Sequence, residues 1–313
     1  MNKVWTNIYT LHHPEIEKRF SIVVGNDLHF HPNIKTEKLN KILNEIAKID
    51  PEYIMLPGDI ISYTEAIEST YEKDRLLRLL QEFGEIAPTM ISLGSHDFYK
   101  KEDKLNPVLD KKLYHKIHEL SNVQILHNTH YIDERIYVAG ITQSYGYYHP
   151  NNNFAKHPIK PVQEDKAVLL KDLETHLKEL KNLPKDKLKF MLIHSPIHID
   201  SIEVQAYLKE FDYILSGHMH NGCVPSFLFP FWKSTRGFIA PSGALFPKNE
   251  RDTLRFQGDK LLVNGPLTTI QPDSILKYYL NEFFPSYLSV LEFVKYSTEE
   301  KENKKIPKRT LYR

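Results

Sequence analysis

A chain of 313 residues is long enough to bury the core of one large α/β domain or of two small ones. Its 41 Lys and Arg residues nearly balance its 40 Asp and Glu residues, so the overall charge does not indicate a nucleic acid as partner. The single cysteine, Cys223, excludes an intrachain disulfide framework and an all-cysteine metal site. Neither the apolar run of a signal peptide nor 18 consecutive uncharged apolar residues occur, and we therefore expect a cytoplasmic protein without a transmembrane segment.

Three predicted strands in the first hundred residues each end beside polar side chains that can bind metal. The apolar runs at residues 20–26, 53–56 and 89–93 have the length and composition of buried strands. The side chains that follow them are, in chain order, Asp27 and His29, Asp59, and Ser95, His96 and Asp97. Helices predicted between the strands make them successive βα units, and such sheets bind ligands beyond the carboxyl ends of their strands. We therefore expect these side chains along one edge of a sheet.

The helices between these strands are predicted from capping signals and apolar spacing. Thr36 is predicted to cap a first helix. Ser69 followed by Glu72 is a capping box that predicts the start of a second helix. A third predicted helix carries His115 and His118, which fit a solvated helix face better than a metal site because no carboxylate accompanies them at zincin spacing.

The second half of the chain shows the same pattern of strands that end at histidine. Strands are predicted at residues 123–126, 136–141, 189–193 and 211–215, with a charged amphipathic helix at residues 163–181. His194 follows the third of these strands, and His218 and His220 follow the fourth. Two imidazoles one residue apart on a tight turn can reach two ions roughly 4 Å apart. The alternative is a pair of surface histidines in a loop.

Two segments lack clear periodicity. Residues 142–161 are rich in Tyr, Asn, Pro and His and are predicted to be a long loop, either beside a substrate or simply exposed. Residues 224–233 are aromatic and interrupted by two prolines, and burial is favoured over an exposed patch. Residues 299–313 are charged and are predicted to be a solvated terminus.

No convincing linker divides the chain. We predict a single domain over residues 1–313, with the motif-bearing core at about residues 20–265 and a C-terminal extension at residues 266–313. Near the motifs, His31, His198, Asn221 and Arg251 could contact a substrate, but roles at the rim or in the structure are favoured. Cys223 is predicted to be a core residue rather than a ligand.

Five short motifs occur in a fixed order. They are Asp-x-His at 27–29, Gly-Asp at 58–59, Gly-Ser-His-Asp at 94–97, a single His at 194 and Gly-His-x-His at 217–220. Together they resemble the calcineurin-like metallophosphoesterase superfamily, whose pattern has asparagine where this chain has Ser95. The resemblance covers roughly residues 20–265 and implies a four-layer α/β/β/α sandwich of two mixed β-sheets flanked by helices.

The resemblance also implies two divalent metal ions. One would be held by Asp27, His29, Asp59 and His220, and the other by Asp59, His194, His218 and Ser95. His96 would act at the leaving oxygen, with Asp97 orienting its ring. Mixed nitrogen and oxygen ligands suit Mn, Fe, Zn or Co better than Ca or Mg. Since a hydroxyl is a shorter and weaker donor than an amide oxygen, we expect the second ion to be bound more loosely.

The expected activity is hydrolysis of a phosphomonoester or phosphodiester by in-line attack of a metal-bound hydroxide. The expected substrate is a phosphate-ester small molecule or a lipid-linked phosphate, with peripheral membrane contact allowed and no nucleic acid indicated. The alternative is a catalytically weak or silent metal-binding scaffold for a protein or lipid partner. A nucleophilic triad of Ser95, His96 and Asp97 is excluded because adjacent residues do not aim three side chains into one relay. Dinucleotide, P-loop, α/β-hydrolase and zincin motifs are absent from the sequence.

Overall fold

The computed structural model of the chain shows two β-sheets with helices on their outer faces. It describes residues 4–13, 16–62, 67, 69–97, 109, 111–143, 163–182, 187–196, 202–223, 231, 253–254, 260–268, 285–295 and 308–312. Within these ranges the α-helices are α1 (Thr36–Ile49), α2 (Thr70–Ile86), α3 (Lys111–His118), α4 (Gln163–Leu180) and α5 (Ile202–Leu208). No helix in this part of the chain is both long enough and apolar enough to cross a membrane.

The strands divide between a seven-stranded and a six-stranded sheet. In chain order they are β1 (Val4–His13), β2 (Phe20–Val24), β3 (Tyr53–Pro57), β4 (Thr89–Ser92), β5 (Val123–Ile125), β6 (Thr129–Ile132), β7 (Ile136–Ile141), β8 (Leu188–Ile193), β9 (Tyr213–Ser216), β10 (Thr253–Leu254), β11 (Leu261–Val263), β12 (Ser286–Lys295) and β13 (Lys308–Tyr312). The first sheet has the order β13-β1-β12-β2-β3-β4-β5, and the second has the order β10-β11-β9-β8-β7-β6.

Both sheets are mixed. Strands β2, β3, β4 and β5 are parallel neighbours, whereas β12 runs antiparallel to β2 and parallel to β1. In the second sheet β7, β8, β9 and β11 are parallel, and β6 and β10 are antiparallel edge strands. The parallel strands of each sheet therefore end on a common edge, where loops can gather polar side chains.

Alternating side chains explain the four layers. Ile22 and Val24 of β2 pack in the cluster between the sheets, which also contains Phe190 of β8. Val23, which points the other way, packs with the buried side chains of α1, α2 and α3. On the far side, Met191 of β8 packs with the apolar faces of α4 and α5. The predicted α/β/β/α sandwich is confirmed.

Most predicted elements of the core are present, and one predicted cap is not. The Ser69 hydroxyl accepts the N–H of Glu72 at 3.2 Å, as the capping box predicted. Thr36 is instead the first residue of α1, because Lys35 takes the cap position without a side-chain hydrogen bond. His115 and His118 of α3 are exposed, as expected for a solvated face.

The two ends of the chain differ from the prediction. Residues before Phe20 form β1, which pairs in parallel with β12 from Val4↔Ser286 to His13↔Lys295. The predicted solvated terminus is wrong for Lys308–Tyr312, which pairs antiparallel with β1 as β13. β1, for which nothing was predicted, and β13 share one physical feature: the partners of these strands are distant in sequence, so no local pattern indicates the pairing.

Parts of the two aperiodic segments lie outside the described residues. Of the predicted loop at residues 142–161, only residues 142 and 143 are described. Of the aromatic run at residues 224–233, only Phe231 is described, and it is 87% exposed, so the predicted burial is wrong at that position. His198 and Arg251 also lie outside the described ranges.

Candidate metal centre

The carboxyl ends of five strands converge on one polar site. Asp27 and His29 follow β2, Asp59 follows β3, and His96 and Asp97 follow β4 in the first sheet. The residues that follow β8 and β9 of the second sheet are His194, His218 and His220. The site is therefore built where the two sheets meet, at the edge on which their parallel strands end.

A first group of four side chains could hold one ion. It consists of Asp27, His29, Asp59 and His220, with ligand atoms all within 4.8 Å of one another. Nε2 of His29 lies 3.2 Å from Nε2 of His220, and each of these atoms lies 3.6 Å from Oδ1 of Asp27. Two nitrogen atoms at this separation, with a carboxylate oxygen facing both, can coordinate the same cation.

A second group shares Asp59 with the first. It consists of Asp59, His194 and His218. Nε2 of His194 lies 3.0 Å from Oδ2 of Asp59, and the ring centroids of His194 and His218 are 5.1 Å apart. The opposite ring nitrogen of His194, Nδ1, donates to the Pro57 carbonyl at 2.9 Å. That hydrogen bond fixes the tautomer and leaves Nε2 facing the centre.

Each aspartate uses one oxygen for the scaffold and leaves the other without a hydrogen bond. Oδ2 of Asp27 accepts from the amide of Asn26 and from the N–H of His218 at 3.1 Å. Oδ1 of Asp59 accepts from the N–H of His96 at 2.8 Å. Oδ1 of Asp27 and Oδ2 of Asp59 are fully buried and have no hydrogen-bond partner. Buried carboxylate oxygens need a positive partner, which bound metal ions or, beside Oδ2 of Asp59, a protonated His194 would supply, so the residues fit two metal ions.

The backbone adopts uncommon conformations to present these side chains. Asp27, His29, Asp59, His218 and His220 all have positive φ angles, between 42° and 68°. Non-glycine residues rarely occupy this region, and such conformations concentrate at functional sites. The loops therefore maintain strained backbone so that the ligands point inward.

Glycine is required at position 94 because the backbone there lies very close to two of the candidate ligands. A Cβ at Gly94 would collide with Oδ1 of Asp59 and with Cδ2 of His194. Ser95, the next residue, begins a single 3₁₀ turn, Ser95–Asp97, and is 9% exposed. The backbone at Gly94 therefore lies against the second group, and Ser95 is the next residue along the chain. A role for Ser95 as a weak ligand of the second ion stays a prediction.

The role predicted for Asp97 needs correction. Its carboxylate does not orient the ring of His96, since both oxygens accept backbone N–H groups, those of Asp59, Ile60, Ile61 and Gly94, at 2.8–3.2 Å. Nδ1 of His96 instead bonds to the Ser62 carbonyl. The physical reason is that Asp97 is fully buried beneath the loop after β3, where N–H donors surround it.

Burial and neighbouring charges keep the aspartates of the centre ionised and most of its histidines neutral. Burial would raise the pKa of Asp59, but the nearby imidazoles, of which His194 contributes most, outweigh it and hold the pKa well below its usual range. Asp27 behaves likewise, with its pKa lowered against burial mainly by His220. Burial lowers the pKa of His29 to about 4 and, together with His194, that of His218 to about 3. Ionised carboxylates and neutral imidazoles are the protonation states that bind metal.

Two groups depart from this pattern. Burial opposes protonation of His194, but the adjacent Asp59 outweighs it and raises the pKa of His194 to about 9. A protonated His194 thus supplies beside Asp59 the positive charge that a bound cation would supply. Burial, followed by the charge of Asp59, raises the pKa of Asp97 to about 7 against the backbone N–H groups that favour its ionised form.

Two further polar residues near the ligands are buried. Asn221 is 1% exposed, and neither polar atom of its amide has a hydrogen-bond partner. His31 is 5% exposed rather than at a rim, and Nδ1 of its ring is also without a partner. The sequence shows that Asn221 follows His220 and that His31 lies two residues after His29. It did not indicate that both side chains are buried.

Comparison with known proteins identifies the family. The sequence profile described as calcineurin-like phosphoesterase matches residues 20–222, a range that contains every ligand named above. The chain belongs to the calcineurin-like phosphoesterase family. Phosphoesterases of this family depend on two metal ions, consistent with the two groups of ligands that share Asp59.

Individual relatives are distant. The chain is 25% identical over 226 residues to an uncharacterized metallophosphoesterase of Campylobacter jejuni, a match that covers 72% of the chain and 50% of the relative. The chain thus spans about half the length of that relative. Among solved structures it is similar to a phosphopantetheinyl hydrolase of Mycobacterium tuberculosis (13% identity, TM-score 0.42, 79% of this chain and 90% of that chain). It is also similar to a dimetal phosphatase of Danio rerio (12% identity, TM-score 0.43, 79% and 88%).

Proposed function

We propose that this calcineurin-like phosphoesterase is a dinuclear enzyme that hydrolyses a phosphomonoester or phosphodiester. The observation that carries the proposal is the pair of buried oxygens, Oδ1 of Asp27 and Oδ2 of Asp59, which face the Nε2 atoms of surrounding imidazoles at 3.0–3.8 Å, as a shared set of metal ligands would. Asp59 would contribute to both ions, because its side chain belongs to both groups of ligands.

The chain positions the reacting groups before substrate arrives. Asp27 and Asp59 are held by backbone and amide donors, so their remaining oxygens need no reorganisation to meet cations. His29, His218 and His220 supply neutral nitrogen ligands. When bound, two divalent ions would lower the pKa of a water molecule and neutralise the phosphoryl oxygens during in-line attack.

His96 is proposed as the proton donor to the leaving oxygen. Its Nδ1 bonds to the Ser62 carbonyl, which leaves Nε2 as the atom that can hold or release a proton. Its ring lies edge-on to His29, with centroids 4.8 Å apart, and is partly exposed. His96 therefore stands between the ligands and solvent, where a leaving group would depart.

We propose a small phosphate ester or a lipid-linked phosphate as substrate, and a cytoplasmic enzyme. Asn221, with a buried amide that lacks partners beside His220, is a candidate contact for a phosphoryl oxygen. If the substrate is lipid-linked, Phe231, which is 87% exposed, is the position that we propose for contact with its lipid. Comparing turnover of a lipid-linked phosphate in vesicles between the parent chain and Phe231→Ser tests that contact. Equal turnover by the two proteins would remove the support from Phe231.

The test of the proposed function is hydrolysis of an aryl phosphomonoester and an aryl phosphodiester with added Mn²⁺. Asp59→Asn should abolish turnover of both, because it removes the carboxylate shared by the two groups of ligands. Asp50→Asn is the matched control, since Asp50 is exposed at the end of α1 and also has a positive φ, which asparagine tolerates.

A silent metal-binding scaffold is the second candidate, and Ser95 is the observation that favours it. Serine stands where the family pattern has asparagine, which weakens the second group of ligands. Metal bound by the parent chain without turnover of either ester would support the scaffold and overturn the proposed enzyme. Mn²⁺-dependent turnover that Asp59→Asn abolishes and Asp50→Asn retains would exclude the scaffold.

A further inference from the structure

A second cluster of metal-binding side chains lies away from the candidate metal centre, where α4 covers the edge of the second sheet. It consists of His130 on the edge strand β6 and of His176 and Glu179 on α4. Beneath it, Tyr137 of β7 belongs to the apolar cluster between the second sheet and its helices. Nothing in the proposed phosphoesterase chemistry uses these residues.

The distances in this cluster are those of a coordination shell. Oε2 of Glu179 lies 3.0 Å from Nδ1 of His130 and 3.4 Å from Nδ1 of His176. A tetrahedral ion with bonds of about 2.0–2.2 Å separates neighbouring ligand atoms by roughly 3.3–3.6 Å, so the shorter contact would open slightly when an ion binds. The three ligand atoms all lie within 4.8 Å of one another, so one ion can contact all of them after small side-chain movements.

The surroundings hold the ligands in place. The hydroxyl of Tyr137 donates to Oε2 of Glu179 at 2.7 Å and lies 3.0 Å from Nδ1 of His176. The ring of His130 stacks on that of Tyr137, with centroids 5.1 Å apart. Hydrogen bonds of this kind to ligand atoms orient them and are a common feature of metal sites.

Burial gives the cluster a closed side and an open side. His176 is 2% exposed on the apolar face of α4, whereas the side chains of His130 and Glu179 are 35% and 37% exposed. A cation could therefore enter from solvent and still be held against the core. Two imidazoles and one carboxylate suit Zn²⁺ and related transition metals better than Ca²⁺ or Mg²⁺.

We propose that His130, His176 and Glu179 form a third metal site, which takes a divalent transition-metal ion and joins α4 to the edge strand β6. Water would complete the coordination on the exposed side. Because β6 lies at the edge of the second sheet and pairs only with β7 among the described strands, a link to α4 would stabilise that edge. The bound ion would raise the free energy of unfolding according to its affinity for the folded chain.

The competing explanation is a hydrogen-bonded cluster that binds no ion. Tyr137, Glu179 and His130 would then satisfy one another without metal. Glu179→Gln separates the two explanations, because the amide oxygen can still accept from Tyr137 but is a weaker metal ligand than the carboxylate that it replaces. Glu174→Gln is the matched control on the same helix, since Glu174 is 57% exposed and its ion pair with Lys178 is 3.7 Å long.

The experiment is equilibrium dialysis of the full chain against Zn²⁺, followed by elemental analysis. The parent chain and Glu174→Gln should bind the same amount, and Glu179→Gln should bind one Zn²⁺ fewer per chain. Zn²⁺ should also raise the thermal midpoint less in Glu179→Gln than in the control. Turnover of the aryl esters should be equal in all three proteins, which separates this site from the candidate metal centre.

Equal Zn²⁺ content in the three proteins would overturn the proposed site and leave a hydrogen-bonded cluster. His130→Asn provides a second variant at a partly exposed position, which limits any damage to the fold. Its Zn²⁺ content should also fall by one per chain. Content equal to that of the parent chain would overturn His130 as a ligand and with it the proposed link between β6 and α4.

Discussion

The backbone N–H of Asp59 donates to the carboxylate of Asp97 at 3.0 Å, which links the loop after β3 to the turn after β4. Oδ1 of Asp97 also accepts from Ile60 and Ile61, and Oδ2 accepts from Gly94. In return, the N–H of His96 donates to Oδ1 of Asp59. We therefore propose Asp97 as a positioning residue, which would act on the candidate metal centre through the backbone that carries Asp59.

Asp97→Asn should weaken both metal binding and the fold. The two carboxylate oxygens of Asp97 accept hydrogen bonds from four backbone N–H groups. Asparagine has only one side-chain oxygen, so two of these N–H groups would face its NH₂ group and lose their acceptor. Leaving buried donors unpaired costs about 1–3 kcal/mol in the free energy of unfolding. We expect a lower urea midpoint and a lower Mn²⁺ content after dialysis.

The control for that variant is Asp74→Asn, because the side chain of Asp74 is 51% exposed and its pair with Lys116 is 3.8 Å long. Stability and Mn²⁺ content of Asp74→Asn should match those of the parent chain. If Asp97→Asn retained full stability but lost turnover, the positioning role would be wrong and a direct part in proton transfer would be favoured.

The candidate ligands could be expected at one edge from the sequence, because each lies within a few residues of the end of a strand. A run such as that before Asp59 indicates a buried strand, and parallel strands of one sheet end on the same edge. The contacts of Asp97 could not be predicted in the same way, since its neighbour His96 is the nearer partner along the chain. Whether His96 or Asp97 points inward depends on the conformation of the 3₁₀ turn and on the backbone N–H groups that surround the buried side chain.

Strand pairings and contacts between residues that are distant in the chain could not be predicted from the sequence either. β1 alternates buried and half-buried residues, such as Tyr9 and Thr10, but its partner β12 begins at Ser286. Likewise, His176 lies in the leucine stripe of α4, and the side chains it meets on β6 and β7 are unrelated to it by any local spacing. A histidine on the apolar face of a helix was the signal in the sequence for the proposed third site.

Ser95→Asn should strengthen binding of the second ion. An amide oxygen reaches further than a hydroxyl and is a better ligand, so we expect the dissociation constant of the looser ion to fall by about tenfold or more. The measurement is the release of Mn²⁺ during titration with a weak chelator. Ser95→Ala is the paired variant and should release that ion sooner. Equal release by the parent chain and both variants would show that position 95 does not contact the ion.

His96→Ala should slow hydrolysis most for esters with poor leaving groups. A proton donor matters little when the leaving oxygen is already a stable anion, whereas its loss costs about 10²- to 10⁴-fold when the leaving group is an alkoxide. The measurement is kcat for a series of phosphate esters with leaving groups of increasing pKa. Mn²⁺ content should be unchanged, because the backbone N–H of His96 still donates to Asp59. An equal decrease in kcat for all leaving groups would contradict the role as proton donor.

A carboxylate between the two sheets should make stability depend on pH. Oδ2 of Asp133, in the turn between β6 and β7, accepts from Tyr53 of β3 at 2.6 Å and from Tyr131 at 3.1 Å. Oδ1 accepts the N–H groups of Arg135 and Ile136 at 2.8 and 2.9 Å. Partial burial would raise the pKa of Asp133, but these hydrogen bonds, led by that from Tyr53, lower it.

Since the pKa of Asp133 is lower in the folded chain than the value of about 3.9 in the unfolded chain, its ionisation stabilises the fold above about pH 4. That stabilisation is lost as the pH falls through the folded pKa. Asp133→Asn should therefore reduce the urea midpoint at pH 7, and the difference from the parent chain should shrink below about pH 4. Glu134→Gln, whose side chain is 84% exposed, is the neighbouring control and should match the parent chain at each pH. A difference for Asp133→Asn that stayed constant from pH 7 to pH 3 would mean that the carboxylate charge does not strengthen this link between the sheets.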